Sequence, residues 1–297
     1  MTGAAGFIGY NIAKRLNLMG IKDLILLDNK EKFENPSKFL NLEYEEYRHY
    51  TDLSNLKNIK YIFHEGACSD TMEYNKDYMM GINYEYSKEI FRWCEDSDTA
   101  MIYASSAAVY GHGENGFSEE RSSENPLNVY ALSKAMFDRW VMRKLPMTEI
   151  QVVGLRYFNV FGPQENHKGR MASVPLQFSK QLSEGKPIQL FEGSEGFLRD
   201  FIYVEDVVRV TLYFMENPGL SGIFNCGTGK PHSFKQLAET FLDIWQEDAK
   251  METIPFPKDL EHKYQKYTRA DISTLETLGF PCNWLSLEEG LRRYIRY

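Results

Sequence analysis

The sequence predicts an α/β chain built on a doubly wound parallel sheet, with a smaller C-terminal α/β part, and three observations carry that expectation. The chain opens on Gly3-Ala4-Ala5-Gly6-Phe7-Ile8-Gly9, a glycine-rich turn running into an amphipathic helix. The short apolar run Leu24-Ile25-Leu26-Leu27 then ends in Asp28, about 20 residues beyond the last glycine. After that, apolar runs that read as buried strands alternate with helical patterns as far as Tyr157, the arrangement of successive βαβ units.

Gly3, Gly6 and Gly9 let the backbone turn tightly, approach a pyrophosphate with no Cβ in the way, and enter a helix whose first N–H groups face the anion. A dinucleotide is the natural ligand of such a Rossmann-type turn. Phe7, Ile8, Ile12, Leu16 and Met19 share one helix face, and Gly20 stops it. Asp28 stands where a ribose-reading carboxylate belongs. The strand that should lead into Gly3 is reduced to Met1-Thr2, so the first strand is expected to be truncated at the start of the sequence.

Beyond Asp28, residues 29–38 form a polar loop broken by Pro36; Lys32 and Lys38 are within reach of a ribose phosphate or simply solvated. Tyr61 to Ala67 reads as a strand ending in small residues, so that backbone can lie against a flat cofactor. His64, inside that apolar run, is expected to be a satisfied core histidine. Tyr78 to Cys94 is helical, with Asn83, Tyr86 and Ile90 on successive turns. Ala100 to Ser106 is a buried strand finishing in Ser105 and Ser106, at the carboxyl end where ligands of open parallel sheets bind.

A helix is expected from Tyr130 to Leu145, placing Tyr130 and Lys134 one turn apart on one face. A free phenol titrates near 10, too high for a base at neutrality. A lysine ammonium one turn away and a cationic nicotinamide are expected to lower it, so that Tyr130 takes a hydroxyl proton while hydride leaves the same carbon. Taken alone, Tyr-x-x-x-Lys is a surface helix pair; behind a dinucleotide-type turn and a strand ending in Ser-Ser, it reads as chemistry.

The 297 residues are 43% hydrophobic and 26% charged, which excludes a disordered chain. A net charge of −8 argues against a nucleic-acid surface. Cys68, Cys94, Cys226 and Cys282 are too scattered to suggest a zinc site or a disulfide framework. With no membrane-length apolar run and no signal pattern, a soluble, cytoplasmic protein is expected. Residues 1–160 are expected to form the dinucleotide-binding domain, with returning segments from about 190–230, and residues 161–297 mainly the substrate domain. Gly162 to Ala172 is a polar loop carrying His167, Lys168 and Arg170, where a substrate lid belongs. Arg199 and Lys168 are expected to meet a substrate pyrophosphate or sugar, and Tyr264 to stack on or hydrogen-bond the nucleotide end.

These residues resemble the extended short-chain dehydrogenase/reductases, and within them the ADP-L-glycero-D-manno-heptose 6-epimerases. General motifs are Gly3-x-x-Gly6-x-x-Gly9, Ser106 and Tyr130-x-x-x-Lys134; more specific ones are His64 to Ser69, Tyr103 to Ala108, Arg156 to Pro163, His167-Lys168-Gly169, Phe191 to Ser194 and Arg199-Asp200-Phe201. The resemblance implies epimerisation at carbon six of an ADP-bound manno-heptose through a ketone, for lipopolysaccharide inner-core precursors. It makes Lys168 the second base opposite Tyr130, with Ser106 on the reacting oxygen and Asn159 positioning substrate.

The resemblance further implies NADP, with NAD possible, held by Gly3, Gly6, Phe7, Ile8, Gly9, Asp28, Asn29, Lys38, Glu65, Gly66, Ala67, Cys68, Ser69, Asn83, Tyr130, Lys134, Val160 and Lys168. Asp28 alone favours NAD, so Lys38 is asked to balance a phosphate. Substrate contacts are implied for Ser106, Asn159, Arg170, Gln177, Phe191, Glu192, Gly193, Ser194, Arg199 and Tyr264, no metal is implied, and the assembly implied is a homopentamer. Among rivals, a dehydratase of the same fold is disfavoured because Ala107 and Ala108 follow Ser106 and supply neither acid nor base. A 4-epimerase on another nucleotide sugar stays open. A non-catalytic dinucleotide sensor has no need of Ser106, Tyr130 and Lys134 together.

Overall fold

The computed structural model describes residues 1–33, 41–245, 249–257 and 265–296, so Lys38 and Tyr264 lie outside the described residues. The chain divides into two compact units, Met1–Ser106 with Asn128–Arg156 and Val208–Phe224, and Ala107–Leu127 with Tyr157–Val207 and Asn225–Tyr297.

The chain begins with α1 (Phe7–Leu18), β1 (Ile25–Asp28), β2 (Glu46–His49), β3 (Tyr61–His64), α2 (Lys76–Met80) and α3 (Tyr86–Asp96). There follow β4 (Ala100–Ser106), α4 (Val129–Lys144), β5 (Val152–Tyr157), β6 (Asn159–Phe161), α5 (Val174–Ser183), β7 (Ile188–Phe191) and β8 (Leu198–Tyr203). The remainder holds α6 (Val204–Glu216), β9 (Gly222–Cys226), β10 (Pro231–Ser233), α7 (Phe234–Trp245), β11 (Met251–Ile254), α8 (Ser273–Thr277) and α9 (Leu287–Ile295).

In the first unit β1 pairs with β2 in parallel, and a separate ladder runs β3-β4-β5-β9 with β3 and β4 parallel. Thr2, with Met1, links the two. Thr2 bridges Leu27 on one side and His64 on the other, both in parallel register. Its N–H donates to Phe63 O (3.0 Å), its carbonyl accepts from Glu65 N (3.2 Å), and Leu27 N donates to Met1 O (2.7 Å). Met1 and Thr2 thereby bring the glycine turn to the ends of β1 and β3. Ile90, Phe91, Met101, Phe137, Val141 and Val152 form the adjoining core, nearly or wholly excluded from water. Between α2 and α3, Gly81–Glu85 makes a π-helical turn, and it carries Asn83, which is buried.

In the second unit β8 pairs with β10 antiparallel and with β6 parallel, while β7 and β11 form a parallel pair. Its core gathers Phe161, Phe178, Ile188, Leu237, Phe241 and Leu291. The 107–127 excursion is anchored by Asn225, which is fully buried, accepts from the Tyr110 hydroxyl (2.6 Å) and donates to Phe117 O (2.6 Å). Among the described residues no helix is long and apolar enough to cross a membrane.

Candidate active site

Gly3 has φ of +65°, and a Cβ there would lie 2.5 Å from Gly66 N; at Gly9 it would lie 2.4 Å from Gly3 O. Gly3 thus excludes a side chain so that the turn can lie against the Glu65–Gly66 backbone, and Gly9 so that the start of α1 can pack on the turn itself. Gly6 caps α1 without a side-chain bond, and no acid occupies the helix's first turn, where a carboxylate would compete with an anion for the helix dipole.

Asp28, almost wholly buried, accepts from Ala5 N (3.0 Å), Asn29 N (2.8 Å) and Lys32 Nζ (2.9 Å). The acid that the spacing assigns to a ribose therefore braces the glycine turn as well. His64 is the satisfied core residue its surroundings suggest. The Ser87 hydroxyl donates to Asn83 O (2.9 Å) and so accepts from His64 Nε2 (2.8 Å), leaving Nδ1 to accept from Thr2 Oγ1 (2.7 Å). Burial lowers its pKa to about 3, which keeps this neutral tautomer through the physiological range.

Asn83 lies in contact with the loop that follows β3. Its Oδ1 accepts from Cys68 N (2.8 Å), and its Nδ2 donates to Cys68 O (2.9 Å) and to Ser133 Oγ on α4 (3.1 Å). It clamps the Glu65–Ser69 loop to the helix that carries Tyr130. Of that loop's residues, Ser69 is exposed and Glu65, Gly66, Ala67 and Cys68 are half-buried.

Helix α4 starts where the sequence suggests, capped by the Asn128 side chain on Ala131 N (2.8 Å). Tyr130 and Ser106 are hydrogen-bonded through their side chains, which unites the end of β4 with the first turn of α4. One expectation is corrected here. The phenol is not lowered by Lys134: burial raises it, the neighbouring Cys68 thiol adds to the rise, and the opposing pull comes from Ser106. Lys134 instead donates to Ala104 O (2.9 Å), and burial draws its own pKa down to about 8, with Glu65 and Asp138 resisting.

That shift has a stability consequence. Between about 8 and the ordinary 10.5, the unfolded chain holds a proton on Lys134 that the native state has released, so this group adds stability as pH rises through the window and costs stability below it. Lys134→Met is expected to remove this dependence. Urea unfolding of both proteins at pH 7.5 and pH 10 checks it, the gain from low to high pH being larger in the wild type.

In the second unit, Lys168 sits in a 3-10 turn, Asn166–Met171, where Gly169 has φ of +53°. Its Nζ lies 3.8 Å from Glu165 Oε2, and Glu165, at 1% exposure, also accepts from Ser173 N (2.8 Å) and Ser173 Oγ (2.5 Å) at the start of α5. Burial lowers the Lys168 pKa and Glu165 opposes the shift. Arg199 is buried with its guanidinium carbon 5.5 Å from the Phe234 ring centre and Nη1 donating to Leu198 O (3.0 Å). Next to it, fully buried Asp200 accepts from Thr228 N (2.8 Å), Gly229 N (2.8 Å) and Ala270 N (2.9 Å), pinning two loops to β8.

The other sequence-predicted positions divide by exposure. Asn159, Arg170, Gln177, Glu192 and Gly193 are exposed, Val160 and Phe191 are half-buried, and Ser194 is buried. Asn159 accepts from Thr268 Oγ1 (3.4 Å), and Gln177 donates to Ala172 O (3.3 Å). Reading the sequence missed Glu165 and the buried pair Asp138–Arg156, joined at 2.9 Å. The available signal was a charge inside an all-apolar strand, Arg156 in Val152–Tyr157, and an acid two turns beyond Tyr130.

A parallel sheet with a glycine-rich first turn and a Ser–Tyr pair backed by lysine defines a class of nucleotide-dependent enzymes. Residues 1–227 match the NAD dependent epimerase/dehydratase family, and the chain belongs to that family. It is 48% identical over 307 residues to the ADP-L-glycero-D-manno-heptose-6-epimerase of Brachyspira hyodysenteriae, covering 99% of this chain and 95% of that one. The solved Helicobacter pylori enzyme of the same name is similar at 30% identity and a TM-score of 0.84, over 100% of this chain and 94% of that one. A UDP-glucuronic acid 4-epimerase from Bacillus cereus, solved with a fluorinated UDP-glucuronic acid and NAD, is similar at 25% identity and a TM-score of 0.83, over 100% and 97% of the two chains.

Proposed function

We propose that this chain interconverts ADP-D-glycero-D-manno-heptose and ADP-L-glycero-D-manno-heptose by oxidising carbon six to a ketone and reducing it from the other face. The observation that carries the reading is the Ser106–Tyr130 hydrogen bond with Lys134 behind it, in a chain 48% identical along nearly its whole length to an enzyme of that name. A bound nicotinamide dinucleotide supplies the hydride acceptor and donor. Tyr130 exchanges the proton of the reacting hydroxyl, Ser106 bonds its oxygen, and Lys168 serves proton exchange on the opposite face. Asn159, Arg170, Gln177, the Phe191–Ser194 turn, Arg199 and Tyr264 hold the ADP-sugar. Incubation with ADP-, UDP- and GDP-sugars, followed by NMR, is expected to show inversion of the ADP-heptose alone; inversion of a UDP-sugar at carbon four would favour the rival reading.

The dinucleotide is held through the glycine turn, Asp28, Asn29, Lys38, the Glu65–Ser69 loop, Asn83, Tyr130, Lys134, Val160 and Lys168. NADP is the preferred form. With both Asp28 oxygens engaged by Ala5, Asn29 and Lys32, the acid is occupied by its own chain, and a half-exposed ammonium stands beside it for a 2′-phosphate. Lys32→Glu is expected to weaken NADP about tenfold or more and to leave NAD within about threefold, since one charged contact to phosphate is lost; isothermal titration of both dinucleotides checks it. The working assembly is a homopentamer in the cytoplasm, and native mass spectrometry reads both its stoichiometry and the dinucleotide it retains.

A further inference from the structure

Successive residues at the end of β4 are tied to one face of α4. The Tyr103 hydroxyl donates to Asp138 Oδ1 (3.0 Å), Ala104 O accepts from Lys134 Nζ (2.9 Å), the Ser105 hydroxyl donates to Asp138 Oδ2 (2.8 Å), and Ser106 bonds Tyr130. The helix partners Tyr130, Lys134 and Asp138 follow one another at single turns. The rung farthest from Tyr130 is ionic: Arg156 Nε lies 2.9 Å from Asp138 Oδ2, and each side chain is 1% exposed.

Burying both charges forfeits the hydration of both, and an apolar pair of similar volume would hold helix to sheet without that cost. An apolar pair cannot orient two hydroxyls from alternate residues of a strand. Space is also reserved for this contact: a Cβ on Gly154 of β5 would lie 2.5 Å from the Tyr103 hydroxyl. The bonds that Asp138 accepts from Tyr103 and Ser105 carry its action toward Ser106 along β4.

We propose that Asp138, oriented by Arg156, is a positioning residue that fixes β4 in register with α4 and thereby sets the hydrogen bond between Ser106 and Tyr130. The kinetic side of this inference rests on the function proposed above; the geometric side does not. The Asp138 charge also acts on Lys134, and Glu65 and Cys68 act on the same groups, so the test must separate bonds from charge.

Tyr103→Phe/Ser105→Ala removes both strand bonds and keeps the ion pair, whereas Asp138→Asn removes the charge. In the substrate-free protein, the ζ-carbon NMR resonance of Tyr130, assigned with Tyr130→Phe, reports whether its hydroxyl keeps its partner. The expected result is that the double variant moves this resonance in the same direction as Ser106→Ala and adds no further shift on a Ser106→Ala background. With ADP-heptose, kcat of the double variant is expected to fall about tenfold or more with KM held within about twofold. A lower melting temperature with the Tyr130 resonance unmoved, or shifts that add in full to those of Ser106→Ala, would overturn the proposal. Should Asp138→Asn fail to fold, the double variant alone decides. Wild-type protein inactive on ADP-heptose would defeat the proposed function while leaving the resonance comparison to judge the positioning role.

Discussion

Tyr130→Phe is expected to lower epimerisation of the ADP-heptose by at least about 10²-fold while nucleotide binding persists, the range that loss of a positioned general acid–base produces. The substitution keeps the ring and removes one oxygen, so packing at the start of α4 changes little. What disappears is the group bonded to Ser106, and with it the proposed proton acceptor for the reacting hydroxyl. Burial holds this phenol above its ordinary range in the free protein, which makes the Ser106 bond the chain's own contribution to ionising it. Ser106→Ala should accordingly lose rate as well, though less, since the phenol itself remains. Epimer formation followed by NMR, beside native mass spectra of the retained dinucleotide, checks both; turnover near wild type in Tyr130→Phe would remove the tyrosine from the mechanism.

Lys168→Met is expected to cost a similar factor, about 10² or more, and Lys168→Arg should not restore it. The two variants separate two kinds of cation. If Lys168 served only to attract phosphate, a guanidinium would replace it, because arginine binds phosphate oxygens at least as well. If it exchanges a proton, arginine fails, because its guanidinium stays protonated at any accessible pH. Burial already lowers the Lys168 pKa, which brings the neutral amine nearer to neutral pH, and Glu165 limits the shift. Single-turnover rates together with substrate affinity give the measurement. Full activity of Lys168→Arg would reassign the residue to binding.

Several features were legible from the chain alone because they are local. The glycine turn, the acid ending β1, the Ser-Ser terminus of β4 and the Tyr130–Lys134 spacing each lie within one element or one turn, where backbone geometry dictates relative placement. The direction of the Tyr130 shift could not be foreseen. Sequence spacing puts a lysine one turn away, but the electrostatic outcome depends on what the ammonium bonds and how much water each group keeps; Lys134 spends its charge on Ala104 O.

The bridges Asp138–Arg156, Glu165–Ser173 and Asn225 to Phe117 and Tyr110 were likewise invisible, since each hydrogen-bonding choice is made among partners that only folding brings together. Residue order by itself thus determined which chemical groups this protein owns and on which short segments they stand. Tertiary structure decided their protonation and their exact neighbours, because desolvation and buried hydrogen bonds are properties of the packed interior, and no interval along the chain encodes how much water a side chain will lose.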